Sequence, residues 1–337
     1  MSEGSDYSPG PWQGHDFQQA RAHYDQHAQR SYAEATARNV SALDLVPQRI
    51  VTQSTHPLII KLDVSGSMGG WPGPIISKFP YLDHEMRTEY MGEDAEICFS
   101  AISDTGDRYP FQIQPFAKGV AMKEALKKLV ITNGGSGPGD YCEAYAIAAL
   151  YALHNIDMPN SVIKPICIII GDEMPYDLIT PSDADNFARV RIQARMNADQ
   201  IFGDLMQKHS VYFIQKPYGD EVSTGDRLTG VTKQVHARWE RLLGAERIAH
   251  LSDAGRVVDV IFGILAHEAG RVGYFRDEIE GRQTLEQVQT VYTALRTVHA
   301  HEVGHSEAIA SLSKRLSANG KSTLHRPTGG KKSGDLL

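Results

Sequence analysis

Short apolar runs and longer stretches of helical spacing alternate along residues 57–270 of this 337-residue chain. The runs at 58–62, 95–102, 163–170, 211–214 and 247–251 read as buried strands, because a few apolar residues bounded by turn formers fit a strand better than a helix. A sixth run, 109–116, holds Pro110 and Pro115. Proline in a sheet belongs at an edge, so this run is expected to be an antiparallel edge strand. Helical spacing fills 74–89, 120–130, 141–154, 184–208, 231–243 and 255–269, with Met122, Leu126 and Leu129 sharing one side of the second helix. Strands alternating with helices predict an α/β fold. The expected form is doubly wound: a mostly parallel six-stranded sheet with one antiparallel edge strand and helices on both faces.

The flanks differ from this core. Residues 1–49 are expected to hold a disordered N-terminus, rich in Ser, Gly, Pro and Asp up to about residue 15, and a polar helix over 16–38 with a thin apolar stripe. Residues 50–270 form the expected main domain. A helical extension follows over 271–313, and the Lys-, Arg-, Ser- and Gly-containing tail 314–337 carries no core and reads as disordered.

The chain is 41% apolar and 22% charged, which places it among ordinary globular proteins. A net charge of −7 without a basic, aromatic-laced patch argues against nucleic acid as a partner. The sequence contains no apolar run of membrane-spanning length. Residues 1–6 lack a basic and apolar leader pattern, so a cytoplasmic location is the expectation. Cys98, Cys142 and Cys167 have no metal-ligand spacing and read as reduced thiols.

The chemistry concentrates at the ends of the predicted strands. Asp63, Ser65 and Ser67 form Asp-x-Ser-x-Ser directly after Leu58-Ile59-Ile60-Lys61-Leu62. One carboxylate and two hydroxyls on one loop suit a hard cation, and open α/β sheets bind ligands at such strand ends. Gly139-Asp140-Tyr141-Cys142-Glu143 leads into the 141–154 helix, where a helix N-terminus favours acidic groups. For Asp140 a plain N-cap is the competing reading. Gly171-Asp172-Glu173 follows the apolar strand 163–170.

At these residues the chain resembles the von Willebrand factor A family, whose metal-ion-dependent adhesion site (MIDAS) opens with Asp-x-Ser-x-Ser. The usual Thr-containing second loop is not present; Ser136 is the nearest substitute, and Gly-Asp-x-x-Glu resembles the variant of integrin β-subunit inserted domains. The resemblance implies a metal set of Asp63, Ser65, Ser67, Asp140, Glu143 and Asp172. In it Glu143 ligates directly, Asp140 supports it or shapes an adjacent cation site, and Asp172 acts through water. The implied ion is Mg²⁺, with Mn²⁺ or Ca²⁺ as alternatives. An open coordination position would receive a carboxylate from a protein partner. The family's intracellular, prokaryotic-type members imply an adaptor or scaffold in a multiprotein assembly, with an AAA+ ATPase or an assembly subunit as partner. A non-enzymatic role is therefore expected, and Asp63→Ala is expected to abolish partner binding while leaving the fold intact. Trp71, beside the first loop, is either a partner contact or a packing cap on the next helix.

Rival readings rest on single motifs. A haloacid-dehalogenase phosphatase needs Asp where Ser65 stands. A P-loop needs Lys where Asp140 follows Gly139, and a nucleophile elbow needs Gly where Ser65 precedes Ser67. His301-Glu302-Val303-Gly304-His305 is a literal zinc-hydrolase signature, but Ala308 and Ser311 stand where a third-ligand continuation needs Gly and His. A solvated helix surface carrying His299, His301 and His305 is the plainer expectation. A structural assembly subunit with a vestigial metal site is the remaining alternative.

Overall fold

The computed structural model describes residues 31–131, 139–219, 221 and 227–299. At its centre lies strand β1 (Pro57–Asp63), with all seven residues buried. A strand covered on both faces needs an unbroken apolar run, and this explains the sequence 58–62. On one side β1 pairs in parallel with β2 (Glu96–Ile102), which carries β3 (Phe111–Ile113) antiparallel at the edge. On the other side follow β4 (Ile166–Gly171), β5 (Ser210–Gln215) and β6 (Ile248–His250), all parallel. The sheet order is β3-β2-β1-β4-β5-β6. The expected α/β sheet with one antiparallel edge strand is therefore present among the described residues.

Helices cover both faces. On one, Phe79 of α1 (Pro72–Glu85) stacks on Phe99 of β2 with ring centroids 4.6 Å apart. After β3 comes α2 (Val120–Lys127), with Met122 and Leu126 buried as its spacing predicts. On the opposite face Ile59, Cys98, Cys167 and Ile169 share one apolar cluster with α3 (Tyr145–Asn155). The residues of α3 from Tyr145 to Leu153 are all buried, the expected state of a helix apolar on every side. Lys61 lies two residues along β1 from Ile59, on the same side. Its ammonium donates to the Ala148 carbonyl of α3 at 3.0 Å.

Two expected helix boundaries are corrected. The helix expected over 184–208 is two helices, α4 (Pro181–Ala188) and α5 (Ala198–Lys208). Thr180 and Asp183 form a capping box that starts α4, and Arg189 ends it in the left-handed conformation at φ 52°. Met196-Asn197 then pairs antiparallel with Leu178-Ile179, and Asn197 caps α5. The helix expected from 141 begins only at Tyr145, because Cys142-Glu143 forms a short strand parallel to Met174-Pro175.

The helices continue with α6 (Gly230–Leu243) and α7 (Val257–Glu268). The described part of the expected C-terminal extension forms α8 (Val272–Arg282) and α9 (Leu285–Ala294). His299 is not on a solvated face: it is buried, with Nε2 2.9 Å from the Gly263 carbonyl and its ring stacked near His267. The remainder of the zinc-hydrolase signature, 301–305, lies outside the described residues. So do the expected disordered termini, residues 16–30 of the polar N-terminal helix and Ser136. All three cysteines are free. No helix among the described residues is long and apolar enough to cross a membrane. Trp71 is half-buried at the N-cap position of α1.

Candidate functional site

The sheet order reverses between β1 and β4, and in an open α/β sheet the crevice at such a reversal is where ligands bind. Asp63 ends β1 there, and Asp172 follows β4. One Asp63 oxygen accepts the backbone N–H of Ser65 at 2.8 Å, which turns the chain sharply after the strand. The turn sets the hydroxyls of Ser65 and Ser67 3.0 Å apart. Ser67 in turn donates to one oxygen of Asp172 at 2.9 Å. The first and third predicted loops thus meet directly.

The second loop joins them through its short strand. Pairing of Cys142-Glu143 with Met174-Pro175 lays it beside the third loop, and the Ala144 N–H donates to the Ser103 carbonyl at 3.2 Å. Glu143 is 3% exposed, and its Oε2 has no hydrogen-bond partner among the described residues. Ser65, Ser67, Glu143, Glu173 and Asp104 line a cleft of roughly 180 Å³. Asp140 reaches only its exposed rim. Asp140 is not the helix N-cap either, since Ala144 holds that position.

Four residues that build the site were not singled out from sequence. Tyr145, the first residue of α3, donates its hydroxyl to the second oxygen of Asp63. Lys216, one residue past β5, donates to Asp172 Oδ2 at 2.8 Å and to the Ser67 carbonyl at 3.0 Å. Asp104, just beyond β2, accepts from the Tyr176 hydroxyl at 2.9 Å. Trp239 of α6 donates its indole N–H to the Glu173 carbonyl at 2.8 Å and stacks on Phe213. Asp104 is an acid just past a strand carboxyl end, so the rule that singled out Asp63 and Asp172 would have found it; Lys216 also follows a strand end but offers no oxygen ligand.

Gly171 has a steric reason. A Cβ there would lie 2.0 Å from the Tyr145 hydroxyl. Only glycine leaves room for the tyrosine to reach Asp63.

The two aspartates are thus engaged from behind, each with both oxygens in hydrogen bonds. The polar side chains in the cleft lining include Ser65, Ser67, Asp104, Glu143 and Glu173, with Asp140 at the rim. Burial, reinforced by Asp63 and Glu173, pushes the Glu143 carboxyl up to about 12. Burial and then Asp172 raise Asp63 to about 7, and burial with Asp63 raises Glu173 to about 8. Burial also raises Asp172, against the pull of Lys216. Burial and mutual repulsion thus disfavour full ionisation of these carboxylates, and a positive charge placed among them would favour it.

A cation fits part of this donor set. Among the described residues no three His, Cys, Asp or Glu side chains converge closely enough to form a metal cage. An ion here would depend on the Ser65 and Ser67 hydroxyls, the unpartnered Glu143 oxygen and water. That oxygen-only, water-rich shell is one Mg²⁺ accepts.

No protein-family profile matches the chain, and no curated protein sequence matches it. Solved structures do. The pilus adhesin SpaC from Lactobacillus rhamnosus GG, open conformation, is 10% identical at a TM-score of 0.43 over 70% of this chain and 31% of that one. Proximal thread matrix protein 1 from the mussel byssus is 11% identical at a TM-score of 0.42 over 66% of this chain and 47% of that one. The chain thus spans about a third of the adhesin's length and about half of the byssus protein's.

Proposed function

We propose that this chain is a von Willebrand A-like, doubly wound domain that binds a protein partner through a divalent cation. The observation that carries the reading is the buried Glu143 carboxyl, with one oxygen unpartnered among the described residues, in the lining of a cleft that Ser65 and Ser67 also line. Glu143, Ser65 and Ser67 hold the ion; Asp63 and Asp172 orient the serines. Mg²⁺ is the proposed ion, with Mn²⁺ or Ca²⁺ as substitutes, since all are hard cations that take oxygen ligands.

The chain's own residues do no bond chemistry in this reading. They neutralise and position the ion, and a carboxylate of the partner completes its shell. The partner class follows from the family resemblance alone: an assembly subunit or an AAA+ ATPase, in the cytoplasm, with this chain as adaptor or scaffold.

Asp63→Ala is a poor test, because it strands the buried Tyr145 hydroxyl and disturbs the fold. Glu143→Gln keeps the volume and one carbonyl oxygen but removes the negative charge that would hold the ion. Affinity capture from the native lysate with Mg²⁺ and with EDTA, using wild type and Glu143→Gln, tests the reading. A partner retained only by wild type with Mg²⁺ supports it. A partner retained equally by both proteins in EDTA refutes it and leaves the vestigial-site alternative.

A further inference from the structure

The ammonium of Lys216 is fully used. Its three N–H groups meet Asp172 Oδ2 at 2.8 Å, the Ser67 carbonyl at 3.0 Å and the Pro217 carbonyl at 2.8 Å. The side chain is 5% exposed and that of Asp172 is 0% exposed. The backbone fixes the position as well: the Lys216 N–H donates to the Gly171 carbonyl at 2.9 Å, one step beyond the β5–β4 ladder. Lys216 does not line the cleft that Ser65, Ser67 and Glu143 share. Its charge lies behind the loops and straps the first to the third.

We propose that Lys216 is a resident cation of this site, holding the Ser67 and Asp172 loops in their liganding arrangement without a divalent ion and weakening the hold on one. The inference rests on the divalent-cation reading above. Two physical effects support it. An ion pair between buried groups fixes Asp172, which in turn orients the Ser67 hydroxyl by accepting from it. The fixed positive charge also cancels one carboxylate of the site, and divalent affinity depends on how many remain uncompensated. The loops are therefore assembled before an ion arrives, and the ion exchanges readily.

The test uses the full chain, wild type beside Lys216→Met and Lys216→Gln, titrated with Mn²⁺ and followed by the EPR signal of the free ion. Melting midpoints are read in EDTA and in saturating Mn²⁺. The expected result is a lower midpoint for the variants in EDTA, recovery in Mn²⁺, and Mn²⁺ affinity about tenfold tighter than wild type. A variant that folds only with Mn²⁺ carries the same meaning. Equal Mn²⁺ affinity in all three proteins overturns the inference and leaves the divalent-cation reading standing. Absence of Mn²⁺ binding in every protein overturns both. Failure of both variants to fold at any Mn²⁺ concentration overturns the inference, since an ion then cannot replace the ammonium.

Discussion

Gly171→Ala is expected to be among the most damaging small changes in this protein, although it adds one methyl group. The new Cβ would lie 2.0 Å from the Tyr145 hydroxyl, 2.8 Å from its Cζ and 3.2 Å from Cε1. The ring cannot swing aside, being fully buried and edge-on to Trp239 at 5.4 Å and Phe213 at 6.4 Å. Overpacking of this kind costs about 1–3 kcal/mol. Losing the hydrogen bond to Asp63 adds about 1.5–3 kcal/mol, because its acceptor is a carboxylate. The expected loss is thus about 2.5–6 kcal/mol. Tyr145→Phe alone loses only the hydrogen bond, about 1.5–3 kcal/mol. The double variant has no hydroxyl left to displace, so it should be more stable than Gly171→Ala. Its loss should fall short of the summed single losses by about 2 kcal/mol. Urea unfolding of the four proteins in EDTA measures this cycle. Additivity to within about 0.5 kcal/mol would refute the argument, since it would mean that Tyr145 does not occupy the space over Gly171.

Millimolar Mg²⁺ should raise the melting midpoint of wild type and leave Glu143→Gln unmoved, a gain of about 1.4 kcal/mol at ten times the dissociation constant; equal shifts in both would remove Glu143 from the site. Burial lowers the His209 imidazole to about 4, so the unfolded chain, titrating near 6.5, takes up the proton first. The stability this leaves intact above pH about 6.5 is lost as pH falls toward 4, up to about 3 kcal/mol. His209→Gln should flatten that loss in urea midpoints at pH 4.5 and 7; an unchanged slope would contradict it. Burial likewise lowers Lys61, whose amine lies between the sheet and α3 and donates to the Ala148 carbonyl. Lys61→Met should therefore cost nothing and gain up to about 2 kcal/mol; calorimetry showing a loss above about 1 kcal/mol would contradict that.

The strands and the carboxylates at their ends were legible because both follow from local pattern. An apolar run such as 58–62 announces a buried strand, and an acid just after it has few other reasons to stand there. Glu143 was legible as a candidate, but its local structure was not. The strand that holds it is two residues long and exists only through pairing with Met174-Pro175, thirty-two positions on. Lys216 was hidden for a similar reason. A lysine after a strand reads as a surface residue until the sheet order sets β5 beside β4 and brings it to Asp172, 44 residues away in sequence. Tyr145 looked like one more apolar position in a helix; its hydroxyl gains meaning only from the missing side chain at Gly171. The split of 184–208 was written locally, in Thr180-x-x-Asp183 and Asn197, but continuous helical propensity masked it.

Trp239 gives the site an optical readout of its own. Its indole is sealed from solvent, lies flat on Phe213, meets Tyr145 edge-on and is tethered by its N–H to the backbone of Glu173. A tyrosine bound to Asp63 and an indole bound to the third loop stand 5.4 Å apart, well within range for excitation to pass between them. Any displacement of either loop changes the surroundings of one chromophore or the coupling between the two. With Trp12 and Trp71 replaced, the emission of Trp239 would therefore report on the geometry of the cleft without a label.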